Sequence, residues 1–206
     1  MSLEIGRRVV HASGAGIPLV YLLGLGTWQQ VQYLLVLATT IALTLEFLRI
    51  VVGLNHAIYD RLTREYEREA LAGYALYMLS MTAVGLVFAP TVAVPGMLML
   101  AIGDPISGLL GSNGPYEHKS PRVWITMFSV SFALAAIVVI PAVGGLPAVI
   151  AAVLGALGAA VADGIKPIIG GVPIDDNLTI PPAATLPIAA VLWAIGIPIF
   201  EPLTIV

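Results

Sequence analysis

The chain has 206 residues, of which 59% are hydrophobic and only 10% charged. A soluble domain of that length has no way to bury so much apolar surface, so the composition specifies an integral membrane protein. The absence of cysteine excludes disulfides, thiolate metal sites and cysteine nucleophiles, and a net charge of −3 carries no nucleic-acid signature.

Apolar stretches long enough, or nearly so, to cross a bilayer run over 13–27, 31–53, 71–89, 92–111, 122–141, 145–162 and 180–200. They predict an all-α polytopic bundle of about seven transmembrane helices, one membrane domain over residues 1–206, with no internal repeat. Arg7 and Arg8 precede the first apolar run as in a signal peptide, but no small-residue cleavage site follows. The run therefore reads as an uncleaved first span. Between the second and third spans, Asn55 to Glu69 mixes Arg61, Arg64 and Arg68 with Asp60, Glu65, Glu67 and Glu69. Loose helical spacing of its apolar residues predicts a charged helix lying along the membrane surface.

Seven spans put the N-terminus, 54–70, 112–121 and 163–179 on one face, and every Lys and Arg falls on or near it. By the positive-inside rule that face is cytoplasmic, which predicts a multi-pass cell-membrane protein with its N-terminus and its charged chemistry inside.

The polar residues that interrupt apolar spans come next. Glu46 and Arg49, three apart near the end of the second span, share a helix face and can neutralise each other. They lie about as deep as Asp104, roughly 10 Å below the edge, so one cavity could hold both, with Arg49 reaching a phosphate. In Gly103-Asp104-Pro105, Asp followed by Pro reads as an N-cap and first turn, so the fourth span is expected to break at Gly103. A half-helix starting there would aim backbone N–H groups at a phosphate, while Asp104 could ligate a metal. The following loop offers Lys119, Ser120 and Arg122 as cation and hydroxyl donors. Asp163 ends a small-residue stripe (Gly155, Gly158, Ala159, Ala162), and a surface pair with Lys166 is its plainest reading. Asp175-Asp176-Asn177-Leu178-Thr179-Ile180-Pro181 then places two carboxylates and a carboxamide at a membrane edge, a hard-oxygen set suited to Mg²⁺, with Pro181-Pro182 in the first turn of the last span. His11, His56 and His118 lack metal-ligand spacing and read as structural or hydrogen-bonding.

Carboxylates at Asp104, Asp163, Asp175 and Asp176, with Arg49, Lys119 and a helix N-terminus, are the parts needed for phosphoryl or nucleotidyl transfer from a nucleoside triphosphate. Neither a Walker A motif nor a kinase glycine loop is present. The acceptor is then expected to be lipid-borne, entering from the bilayer.

Arg7-Arg8-Val9-Val10-His11, Glu46-Phe47-Leu48-Arg49, Gly103-Asp104-Pro105, Lys119-Ser120 and Asp175-Asp176-Asn177-Leu178-Thr179-Ile180-Pro181 occur in the order seen in polyprenol kinases. The chain resembles that family, which includes dolichol, phytol and farnesol kinases, over nearly its whole length, and looks nearest to the short archaeal-type dolichol kinases. The resemblance implies a Mg²⁺-dependent membrane enzyme that moves the terminal phosphate of CTP to an isoprenoid alcohol. It assigns the metal to Asp104, Asp175 and Asp176, and nucleotide contacts to Arg49, Gly103, Lys119, Ser120 and Asn177. Catalytic roles are expected of Asp176, of Lys119 and of Asp163, which is a candidate for orienting or deprotonating the lipid hydroxyl. The chain departs from the family after Lys119-Ser120, where Pro121-Arg122-Val123-Trp124 replaces a Glu-Gly-Ser-like stretch. It is distantly similar to membrane cytidylyltransferases, which make CDP-activated lipids. From a different class, an ion-coupled transporter would use Glu46, Asp104 and a broken helix, but calls for ionisable residues on both sides of the midplane.

Overall fold

The computed structural model describes residues 3–54, 63, 70–111, 118–169 and 172–203. Most of the expected surface segment 55–69, and residues 112–117 of the loop before Lys119, lie outside them. Helix α1 (Leu3–Ser13) and the seven-residue α2 (Gly16–Leu22) come first. They are followed by α3 (Trp28–Ile50), α4 (Gly73–Val87) and α5 (Pro90–Leu98), which runs through a π-helical turn (Met99–Gly103) into α6 (Asp104–Leu109). The chain continues as α7 (Pro121–Val143) and α8 (Gly145–Gly164). A short antiparallel ladder of Ile168–Ile169 with Val172–Pro173 then precedes α9 (Asp176–Ala194).

The all-helical membrane bundle expected from composition is what forms. Five helical stretches are long and apolar enough to cross a membrane: Trp28–Ile50, Pro90–Leu109, Pro121–Val143, Gly145–Gly164 and Asp176–Ala194. At 1.5 Å per residue each spans about the 30 Å of a hydrocarbon core. Gly73–Val87 is a shorter apolar helix. The seventh position differs from the expected span at 13–27. Gly14 and Ala15 interrupt that run with i→i+3 hydrogen bonds to His11 and Ala12, and Gly24, at φ 66°, stops it beyond Leu22. Alone, α2 is too short to cross; it continues α1, so residues before the apolar run are helical too.

Packing is inside-out, as lipid solvation requires. On α8 the small residues Ala148, Ala152, Gly155, Ala156 and Ala159 are buried, while Leu146, Leu154 and Leu157 are exposed to the surroundings of the bundle. The small stripe brings backbones into contact: a Cβ at Gly158 would lie 1.9 Å from the Ala183 carbonyl oxygen of α9. Gly144 and Gly145, at φ 73° and 65°, turn α7 into α8 in left-handed backbone that glycine adopts without penalty. The core centres on α5 and the π-helical turn after it, where every residue from Val92 to Ala101 is buried.

At the end of α3, Arg49 grips Glu46 with two bonds, Nε–Oε1 at 3.0 Å and Nη2–Oε2 at 2.7 Å. Glu46 also accepts from the Ala72 N–H at 2.9 Å and from the Tyr74 hydroxyl, and Arg49 donates to the Ala70 carbonyl at 2.6 Å. The pair thus caps the start of α4 from a neighbouring helix, closing the connection between α3 and α4. At the opposite end of the bundle the Gln32 amide donates to the carbonyls of Gly85 and Glu201, and Ala89 N–H to Ile199, pinning the C-terminal segment.

Candidate functional site

Three helices deliver one carboxylate each to a single point. Asp104 begins α6, Asp163 sits in the last turn of α8, and Asp176 is the first residue of α9. One oxygen from each lies within 4.8 Å of the others. Like charges at that separation in a poorly solvated site repel strongly, so positive charge must be held among them. Lys119 supplies it. Its ammonium is 2.5 Å from Asp163 Oδ1, 3.6 Å from Asp176 Oδ2 and 3.8 Å from Asp104 Oδ1. Lys119 N–H also donates to the Gly164 carbonyl at 3.3 Å, tying its backbone to the end of α8. Burial draws the Lys119 pKa down, but Asp104, Asp176 and Asp163 outweigh it and hold the group well above the ordinary lysine value. Lysine 119 is a fixed cation.

Further groups complete the shell. Lys166 Nζ lies 3.5 Å from Asp176 Oδ2, not against Asp163 as the i, i+3 spacing implied. The helix ends at Gly164 and Ile165 is extended, so helical spacing no longer applies at Lys166. Ser107 Oγ donates to Asp163 Oδ2 at 3.2 Å, which leaves both Asp163 oxygens engaged and its side chain fully buried. Asp104 is the more open carboxylate, 19% exposed. His11 Nε2 approaches it at 3.5 Å and lies 3.0 Å from the Leu100 carbonyl.

The opening of α9 divides the labour of its adjacent aspartates. Asp175 is the N-cap: its Oδ1 accepts from Asn177 N–H at 3.0 Å and from Asn177 Nδ2 at 2.6 Å. It does not join the three-carboxylate cluster, where Asp163 stands in the place expected of it. Burial and the Asp176 charge push Asp175 above the usual carboxylate range, against the opposing pull of Lys166 and Asn177. The helix begins at Asp176, so Pro181 and Pro182 fall in its second turn rather than its first. Pro181 therefore leaves the Asn177 carbonyl without a helical donor, and Ser80 Oγ of α4 fills it at 2.6 Å. Asn177 Oδ1 is buried with no partner.

The fourth span is interrupted at Gly103-Asp104-Pro105 as expected, but by widening rather than opening. Asp104 has helical φ −61° and ψ −48°, and its N–H reaches Met99 O, five residues back. There is no N-cap and no free half-helix start, so the phosphate cradle expected there does not form. Gly103 faces α7, where an added Cβ would lie 3.1 Å from Met127 Sδ and 3.3 Å from Ser131 Oγ. Arg49 is engaged by Glu46 and Ala70 at the start of α4, and the cluster is built by other elements. Ser120 is exposed at the N-cap of α7, its hydroxyl making no capping bond.

His11, Ser107 and Lys166 escaped the reading from sequence. For His11 a signal existed: Arg7, Arg8 and His11 at i, i+1 and i+4 belong to one helical stripe, legible once residues 3–13 are seen as helix.

The donor set suits a hard divalent cation. Mg²⁺ takes oxygens at about 2.1 Å, which puts ligand oxygens roughly 3–4 Å apart, and the three carboxylates need only a slight contraction to meet this. The ammonium of Lys119 marks where positive charge is favoured, and Asn177 Oδ1 is a further buried oxygen beside Asp176 still in want of a partner. These residues fit a cation of that kind.

Fold and site together define a polytopic membrane bundle with an acidic centre neutralised by lysines at one end. Comparison with family models, curated proteins and solved structures finds no match to the chain.

Proposed function

We propose that the chain is a lipid kinase, transferring the terminal phosphate of a nucleoside triphosphate, CTP by preference, to a polyprenol- or dolichol-type alcohol. The observation that carries this reading is the meeting of Asp104, Asp163 and Asp176 with Lys119 and Lys166 at one end of a membrane bundle. In this setting the acceptor would be a lipid-borne hydroxyl, entering from the bilayer. The positive residues near this end support a cytoplasmic face for it, by the positive-inside rule.

Each side chain has a part. Asp104, Asp163 and Asp176 would hold Mg²⁺, which supplies charge stabilisation to the transferring phosphate when bound. Lys119 and Lys166 offer cations to phosphate oxygens. Asp163 accepts from Lys119 and Ser107, fixing the ammonium, and its remaining lone pairs serve the cation rather than the proton of the hydroxyl. Asp104, the most open of the three, faces the incoming groups. Asp175 and Asn177 hold the first turn of α9 in place. Little covalent help is needed, because phosphoryl transfer responds mainly to positioning and electrostatics.

The test uses membranes containing the chain, Mg²⁺, a polyprenol, and CTP labelled at either the α or the γ phosphate. Label from the γ position should appear in polyprenyl phosphate. Lipid labelled only from the α position would instead identify a cytidylyltransferase, and no lipid label with any nucleotide overturns the proposal.

A further inference from the structure

The π-helical turn before Asp104 leaves a backbone acceptor that neither the i+4 nor the i+5 residue of its own helix fills. In an α-helix the Leu100 carbonyl would accept from the N–H of Asp104. Here that N–H is committed to Met99 O, five residues back. Shifted to the same i→i+5 pattern, Leu100 would need the N–H of residue 105, and residue 105 is proline. A buried carbonyl without a donor costs the desolvation of that group, and in a membrane no water repairs it cheaply. Leu100 is fully buried, and the group that meets its carbonyl is His11 Nε2, at 3.0 Å.

His11 is itself held. Its ring stacks edge-on against Tyr77 with centroids 4.5 Å apart, and the Tyr77 hydroxyl donates to the His11 carbonyl at 3.2 Å. Gly14 permits this approach, since a Cβ there would lie 2.0 Å from the Tyr77 hydroxyl oxygen. The donor is therefore held by α4 independently of its bond to the π turn. Four residues beyond Leu100 stands Asp104, whose carboxylate must reach Asp163 and Asp176 across the bundle.

We propose that His11 is a positioning residue: by donating from Nε2 to the orphaned Leu100 carbonyl it locks the π turn and sets Asp104 in the carboxylate cluster. This rests on the reading of the cluster as a cation site. It assigns the Nε2–H tautomer to His11, with Asp104 Oδ2 at 3.5 Å as a second, weaker acceptor. It also explains why Pro105 and His11 belong together, although 94 positions separate them (105 − 11).

The experiment uses the full chain in nanodiscs, with Mn²⁺ as the spectroscopic probe and amide hydrogen exchange over 99–109 as an independent readout. His11→Ala should weaken Mn²⁺ binding about tenfold or more, the range for residues that orient a ligand. It should also speed exchange in the π turn, and His11→Gln, which restores an N–H donor, should recover both. Pro105→Ala gives Leu100 a backbone alternative, so His11→Ala made in that background should change exchange and affinity far less. Unchanged exchange in His11→Ala, failure of His11→Gln to recover it, or equal losses in both backgrounds overturns the proposal. If His11→Ala does not fold while His11→Ala/Pro105→Ala does, the coupling stands on that rescue; if neither folds, it is overturned. A wild-type chain with no saturable Mn²⁺ binding removes the cation-site reading, and the exchange data alone then decide the lock on the π turn.

Discussion

The Lys119 ammonium lies 2.5 Å from Asp163 Oδ1, joining the residues just before α7 to the last turn of α8. Both side chains are withdrawn from solvent, so removal of Lys119 leaves the buried Asp163 charge with Ser107 alone. Lys119→Met should destabilise the protein by about 3–5 kcal/mol, the usual cost of breaking a buried pair. The double variant Lys119→Met/Asp163→Asn should regain much of the thermal stability in detergent while remaining inactive in phosphate transfer. Stability that does not recover would place the role of Lys119 in Asp104 or Asp176 instead.

The adjacent aspartates at the head of α9 should separate cleanly. Asp176→Asn removes a member of the cluster and should abolish labelling of polyprenol from γ-labelled CTP. Asp175→Asn retains a good N-cap, since Asn and Asp are comparable there, and should keep activity within about threefold. Equal losses in the two variants, measured side by side, would bring Asp175 back into the cluster.

Glu46 and Arg49 are expected to matter for the fold and not for the cation. Glu46→Ala removes the carboxylate that Arg49, the Ala72 N–H and the Tyr74 hydroxyl share. A loss of about 3–5 kcal/mol should follow, read from thermal unfolding. Mn²⁺ affinity of the folded fraction should stay within about twofold, because no member of the cluster belongs to this clasp.

Gly158 should be intolerant of any side chain. Alanine there would drive its Cβ to 1.9 Å from the Ala183 carbonyl oxygen, and that backbone cannot yield without separating α8 from α9. A cost of about 1–3 kcal/mol or more is expected, against almost none for Gly16→Ala, where a Cβ meets nothing within 4 Å. Matched unfolding midpoints for the two variants would refute the close crossing.

Alkaline stability should depend on Lys119. Its folded pKa is raised above the unfolded value near 10.4, so its contribution is fully present below that pH and is lost as pH rises through the folded value. Asp175 acts in the opposite sense: raised above about 3.9, it penalises the folded state once ionised and is relieved as pH falls through its folded value. Unfolding midpoints of the wild type above pH 10 should fall steadily, and Lys119→Met should lack that limb.

Much of this architecture is written in residue chemistry. Apolar runs mark six helical stretches among the described residues because lipid solvation demands them, and the gathering of Asp104, Lys119, Asp163 and Asp176 at one end follows from alternating spans. What sequence alone does not disclose is how a local interruption is resolved. Asp-Pro after glycine reads as an N-cap and first turn, yet the helix absorbs Pro105 by widening a turn, because a neighbouring side chain is on hand to satisfy the freed carbonyl. In the same way, Asp175 and Asp176 are chemically identical neighbours. Only the position of the first helical residue decides which caps and which faces inward. Helical phase also failed at Lys166, where α8 had already ended.

Two spans of this bundle are incomplete as isolated objects. Leu100 in one and Asn177 in the other each present a main-chain oxygen whose donor, His11 or Ser80, belongs to a different helix. A lone helix inserted in a bilayer must satisfy its own backbone, and each of these stays short by one bond until its neighbour docks. Assembly of the bundle and maturation of the acidic centre are thereby one event: a chain that has inserted every segment but not associated them has neither a saturated backbone nor a site.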